Sequence, residues 1–220
     1  MFVMKAFPAG SAFTYWWSPS LSTMHAWHAS RIVGRFGDPS TQQFKVVDNA
    51  TGSIVAFAKW DPPATMSGFR PGFVVYDEDG RPVSGMGKEG KEGKGKKQAP
   101  LQAPDGADPK LYEEFFNGLK RMGEKWRTSE KLCLSIICTD PAYHGCGIGA
   151  ALIRSGLAIA DAEGVSAYLE GLPLAVPLYR RLGFEPVDKL EYDITRAGME
   201  GTAVLTIMVR EPGAGVTPPA

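Results

Sequence analysis

Apolar positions along this chain follow two rhythms, one of period two and one of helical period, broken by stretches with almost no apolar residue. Phe44-Lys45-Val46-Val47 and residues 53–60 flank Asp48-Asn49-Ala50-Thr51-Gly52, a turn-rich link, and read as a β-hairpin. Leu111, Phe115, Leu119, Met122 and Trp126 recur at helical spacing, so 111–127 reads as a helix whose stripe packs a core. An apolar strand is expected at 132–139. A helix follows from 148 to Gly164, with its buried face at Ile148, Leu152, Ser155, Ile159 and Ala162. Residues 167–169 read as a short strand and 173–182 as a last helix, which Pro177 should kink or shorten by removing a backbone donor. Residues 184–194 and 203–210 read as a closing antiparallel pair. Upstream, 11–36 is aromatic-rich and helical after Pro19, with Met24, Trp27, His28 and Ile32 near one face, and Asp38-Pro39-Ser40 ends it.

The order is helix, two or three strands, helix, strand, helix, strand, helix, two strands. That predicts a mixed α/β fold in one domain over 41–210, with 1–40 as a helical segment of the same domain. Within it, 78–109 is expected to be a disordered insertion, since 87–97 holds only Gly, Lys and Glu, and the Gly- and Pro-rich tail 211–220 is likewise expected to lack order.

Composition narrows the class only a little. The 220 residues carry 24 Lys and Arg against 24 Asp and Glu, so no surplus of either sign marks a nucleic-acid or membrane-surface binder. The N-terminus lacks the sustained apolar core of a signal peptide, and no run is long enough to cross a bilayer. The three cysteines read as reduced thiols, which places the chain in the cytoplasm, with the nucleus as the second compartment. Cys133 and Cys138 are an odd number of residues apart on one strand, so alternation puts them on opposite faces and no shared metal is expected. His25 and His28 have helical spacing but no carboxylate partner in the sequence, and no metal is assigned.

The chemistry concentrates where the strand 132–139 meets the next helix. Alternate glycines at Gly145, Gly147 and Gly149 lie between them. A strand feeding a glycine-rich turn at a helix N-terminus cradles phosphate, because unpaired N–H groups and the helix dipole both favour an anion. A P-loop is excluded: Ala150-Ala151 stand where its Lys and Ser or Thr belong. Gly145-Cys146-Gly147-Ile148-Gly149-Ala150 does satisfy the relaxed dinucleotide pattern, with Glu170 placed as a ribose-binding acid, so an NAD(P)-binding oxidoreductase remains an alternative. Against it, Thr139 to His144 intervene before the glycines, and too little chain follows for further βα units.

Pro141-Ala142-Tyr143-His144-Gly145-Cys146-Gly147-Ile148-Gly149-Ala150-Ala151-Leu152 resembles the acetyl-coenzyme A loop of the GCN5-related N-acetyltransferase (GNAT) superfamily, P-x-x-[RQ]-G-x-G-[IV]-[GA]-x-x-L. Leu178-Tyr179-Arg180-Arg181-Leu182-Gly183-Phe184 resembles the second hallmark, L-Y-x-x-x-G-F. The resemblance covers about residues 41–210, and Phe44-Lys45-Val46-Val47-Asp48 with Ile54-Val55-Ala56-Phe57-Ala58-Lys59-Trp60 are similar to a fungal-type branch. It implies an acyl-coenzyme A N-acyltransferase fold, a splayed central sheet flanked by helices, here lacking a good candidate for the family's first strand before Phe13.

The resemblance also implies roles. Main-chain groups of Ile137, Cys138 and Thr139 would hold the pantetheine arm of acetyl-coenzyme A. His144, Gly145, Cys146, Gly147, Ile148, Gly149 and Ala150 would hold its pyrophosphate, with His144 in the usual Arg or Gln position and Arg154 as a possible extra charge. Tyr179 would protonate the departing thiolate. Leu172 stands where relatives often carry Asn or Ser. The general base is not legible, and Glu170 is the candidate. Tyr15, Trp16, Trp17 and Trp60 divide between lining an acceptor pocket and filling the core, with core filling expected for at least half. The activity implied is direct transfer of an acetyl group to an amine, on a small molecule or a protein. The alternative within the same fold is a catalytically weak acyl-coenzyme A-binding regulatory module.

Overall fold

The computed structural model describes residues 11–36, 41–66 and 102–214, with the side chains of 32–36 outside that description. The chain runs α1 (Leu21–Phe36), β1 (Gln42–Val47), β2 (Ile54–Asp61), α2 (Pro109–Lys125), β3 (Leu132–Thr139), α3 (Ile148–Glu163), β4 (Ala167–Gly171), α4 (Val176–Arg181), β5 (Glu185–Asp193) and β6 (Thr202–Arg210). The strands form one mixed sheet in the order β1-β2-β3-β4-β6-β5. Only β3 and β4 run parallel, which the α3 crossover between them allows.

Each face of the sheet buries its own cluster. On one side α3 and α4 cover Ala56, Ala58, Trp60, Leu132, Leu134, Leu169 and Met208. On the other, the N-terminal segment, α1 and α2 cover Tyr168, Leu190, Tyr192, Leu205 and Ile207. Tyr15, Trp16 and Trp60 fill these cores rather than line a pocket. Asp108 caps α2 by accepting from the Lys110 N–H at 2.8 Å, and Pro109 occupies the first turn, where a missing N–H costs nothing.

Several sequence expectations change. Pro177 goes with a shortened α4 rather than a kinked one: the helix begins only at Val176, so the proline sits in its first turn. The buried face of α3 is Leu152, Ile153, Gly156, Leu157 and Ala160, while Ser155 and Ala162 are exposed, because the helix lies on Trp60 through Gly156. The expected insertion falls outside the described residues up to 101. Its last part, 102–108, packs on the N-terminal segment, with Pro104 buried and the Trp27 indole N–H donating to the Gln102 carbonyl at 2.9 Å. Of the tail, Glu211–Ala214 is tied back to Arg210 and Asp161 and the remainder lies outside the described residues, as do residues 1–10, where a first strand would stand.

The largest correction concerns β3. Its partners on β2 run Cys133↔Asp61, Leu134↔Trp60, Ile136↔Lys59 and Ile137↔Ala58, so Ser135 is an extra residue, a β-bulge. The bulge resets the alternation. Leu134 and Ile137 both face α3, and Cys133 and Cys138 both face the α2 side, not opposite faces as alternation predicted. Five residues of strand still hold these thiols about 16 Å apart, too far to share a metal.

Candidate active site

Parallel pairing between β3 and β4 covers only Leu132↔Ala167, Cys133↔Tyr168 and Leu134↔Leu169. Beyond it β3 continues to Thr139 on β2 alone, and β4 continues to Gly171 on β6 alone. The two strands therefore separate into a cleft open toward their C-terminal ends. Asp140 donates its N–H to the Val55 carbonyl, so in the antiparallel register Cys138 faces β2 and the main-chain groups of Ile137 and Thr139 face the cleft. Three of the expected contact residues thus stand on the cleft strand, and two present backbone to it.

The glycine turn closes the same end. Asp140 caps a short 3-10 turn over Pro141–Tyr143 by accepting from the Ala142 N–H, and the Tyr143 hydroxyl donates to Asp48 at 2.5 Å, fixing the turn to the β1–β2 link. That hydrogen bond holds the Asp48 carboxyl below its ordinary range and raises the Tyr143 hydroxyl. Gly145 and Gly147 then adopt φ of 79° and 77°, a region where other residues are strained. A Cβ at either position would meet nothing within 4 Å. The N–H groups of Gly145, Cys146, Gly147, Ile148, Gly149 and Ala150 donate no hydrogen bond among the described residues, and Ala151 is the first to bond back, to Gly147. Six consecutive unspent donors at the start of a sixteen-residue helix form an anion cradle.

His144 uses one ring nitrogen within the loop itself. Its Nε2–H donates to the Thr139 carbonyl at 3.1 Å, so only Nδ1 remains for a ligand, and that nitrogen donates only when the ring is protonated. Arg154 is exposed on α3. The Cys146 thiol is exposed and Cys138 is buried, its thiol pushed up to about 12 by burial.

Glu170 and Tyr179 flank the cleft from opposite faces. Tyr179 belongs to the α3-side core, its ring lying where a Cβ on Gly171 would come within 3.2 Å. It is 6% exposed, and its hydroxyl has no hydrogen-bond partner among the described residues. Burial raises that hydroxyl to about 12, so it stays protonated. Glu170 lies between Leu169 and Gly171 and so faces the α2 side, one residue past the last β3–β4 pair. Burial raises its carboxyl above its ordinary value. The Tyr168 hydroxyl, on the same face, has no hydrogen-bond partner among the described residues. A carboxyl held protonation-ready near an opening is a functional-site signature. Leu172 packs into the α2-side cluster and offers no polar group.

Sequence reading missed Lys59, Asp61 and Ser135. Lys59 Nζ pairs with Asp61 Oδ1, and the Ser135 hydroxyl donates to Asp61 Oδ2, beside Glu170 and Cys133. Adjacent Ile136 and Ile137, which break the strand's alternation, were the available signal. Among the described residues no group of His, Cys, Asp and Glu could hold a metal ion, and no helix is long and apolar enough to cross a membrane.

Residues 114–186, from α2 to the start of β5 and including the glycine turn and Tyr179, match the family model for an acetyltransferase (GNAT) domain. The histone acetyltransferase HPA2 and related acetyltransferase from Corynebacterium glutamicum superposes with a TM-score of 0.52 at 19% identity, covering 98% of this chain and 90% of that one. The fold is that of the GNAT acyltransferases. Lesser similarity extends to a putative GnaT-family acetyltransferase from Bordetella pertussis (TM-score 0.46, 14% identity, 95% and 85% covered). It extends also to the ribosomal-protein-S18-alanine N-acetyltransferase from Escherichia coli (TM-score 0.45, 16% identity, 92% and 94% covered). No curated protein matches the chain. Within this GNAT fold, the six-stranded sheet, the splay after Leu134 and the amide cradle at α3 occupy one continuous site.

Proposed function

We propose that the protein is an N-acetyltransferase that moves an acetyl group from acetyl-coenzyme A to an amine. The observation that carries this reading is the meeting of six unspent amides with the mouth of a cleft whose walls carry a protonated tyrosine on one face and a raised carboxyl on the other. The cradle suits a diphosphate, since it supplies donors without a bulky side chain. Backbone at Ile137 and Thr139 suits an amide-bearing arm lying along a strand edge.

Acetyl-coenzyme A would supply a thioester; moving its acetyl group to an amine forms a C–N bond and breaks the C–S bond, leaving the thiolate on coenzyme A. Glu170 takes the proton that the amine loses, and its raised affinity for protons brings it closer to working pH. Tyr179 gives a proton to the departing thiolate from the opposite face, which keeps acid and base from exchanging protons directly. Three free thiols support a reducing compartment, cytosol or nucleus. The acceptor is an amine on a small molecule or a protein.

Titration calorimetry with acetyl-coenzyme A, coenzyme A and NAD, followed by thiol release across a panel of amines, tests the reading. Binding of both coenzyme A forms with amine-dependent thiol release is expected. Binding without release under any amine would favour the regulatory module, to which the apolar Leu172 inclines. Binding of NAD alone would sink both.

A further inference from the structure

We infer that Lys59, Asp61 and Ser135 form a clamp that holds the β3 bulge, and with it the cleft, in the open form that the proposed acetyl-coenzyme A site requires; they are positioning residues. This inference rests on the acetyltransferase reading.

Bulge and splay coincide. Pairing of β3 with β4 ends at Leu134, and Ser135, the extra residue, comes next. A regular strand would turn Ile137 toward α2 and Cys138 toward α3 and would present different main-chain groups to β4. With the bulge, Ile137 returns to the α3-side core and the β3 backbone swings away from β4. An unpaired bulge needs something to hold it, and its only side chain reaches across to β2. The Ser135 hydroxyl donates to Asp61 Oδ2. Asp61 is fixed in turn through Oδ1 by Lys59 Nζ, whose side chain is 5% exposed. Trp60 lies between the two charged residues in sequence and is fully buried against Gly156, so the strand carrying them cannot slide. Both acceptor oxygens of Asp61 are thereby spent on the clamp.

The test uses the full chain with S135A, S135T and D61N. Hydrogen exchange on the protein alone reads the clamp without any cofactor: S135A should exchange about tenfold faster over 136–139, the loss of one charge-assisted hydrogen bond, with 132–134 unchanged. Calorimetry with acetyl-coenzyme A should show about tenfold weaker binding for S135A and recovery in S135T, which keeps the hydroxyl. D61N should weaken binding likewise and speed exchange over the same residues. Wild-type exchange and affinity in S135A overturn the clamp, as does equal impairment of S135A and S135T. Absence of acetyl-coenzyme A binding by the wild type overturns the function instead, and hydrogen exchange still decides the clamp.

Discussion

Replacing Gly156 by alanine should destabilise the protein, against the usual benefit of alanine in a helix. A Cβ at this position would stand 2.6 Å from Trp60 Cε2 and Cζ2 and 2.9 Å from Nε1. Real Cβ atoms do not approach so closely, and the atoms met belong to a rigid ring that is fully buried. Either α3 lifts from β2 or the indole is pushed into Leu132, Leu134 and Ile153, its fellow members of that core. Overpacking of this kind costs about 3 kcal/mol at its upper end. The helix preference of alanine over glycine returns about 1 kcal/mol. A net loss of about 2 kcal/mol is expected, which in a chain of this size lowers the thermal midpoint by about 4–8 °C. Urea unfolding of wild type, G156A, W60F and the double variant gives the coupling directly. In the W60F background the indole atoms that meet the new methyl are gone, so G156A there should be neutral or stabilising. Because α3 carries the amide cradle at its start, G156A should also weaken acetyl-coenzyme A binding. A G156A protein as stable as wild type, or an equal cost with and without Trp60, would refute this account of how α3 seats on the sheet.

Y179F should lower kcat by about 10²-fold or more while leaving coenzyme A affinity near wild type, checked by steady-state rates and calorimetry, since only the acid is removed. E170Q should lower kcat/KM by a similar factor and abolish the acid limb of its pH profile. Arg210, 3% exposed, donates to Leu182 and Ala214 carbonyls and pairs through two nitrogens with Asp161, so R210M should cost about 3 kcal/mol or more in urea unfolding. The same pair holds Asp161 below the ordinary aspartate value of about 3.9. Its contribution to stability is therefore complete above that value and lost as pH falls through the lower folded value, and D161N should remove that part of the acid transition. Burial lowers His28 to about 4, with its Nε2 lacking a partner among the described residues. Because the unfolded chain binds a proton there first, stability should fall between about pH 6.5 and 4, and H28F should flatten that slope in thermal melts followed across pH.

The sequence by itself determined the elements and the ligand loop. Period-two and helical-period runs placed β3 at 132–139 and α3 from Ile148 to the glycine at 164, because local burial of one face dictates those repeats. The order Gly145, Gly147, Gly149 was enough to announce a turn into a helix N-terminus, since the backbone conformation it requires is a local property. Tyr179 and Glu170 were legible as candidate acid and base, but not their placement on opposite faces of one opening. That placement depended on where β3 leaves β4, and alternation alone misplaced Cys133, Cys138 and the buried face of α3. A single extra residue at Ser135 changes every orientation after it, and its hydroxyl bonds to Asp61, more than seventy positions earlier in the chain. Orientation beyond a bulge, and the charge environment of a buried carboxyl, are set by neighbours brought together only on folding, so only the tertiary structure decided them.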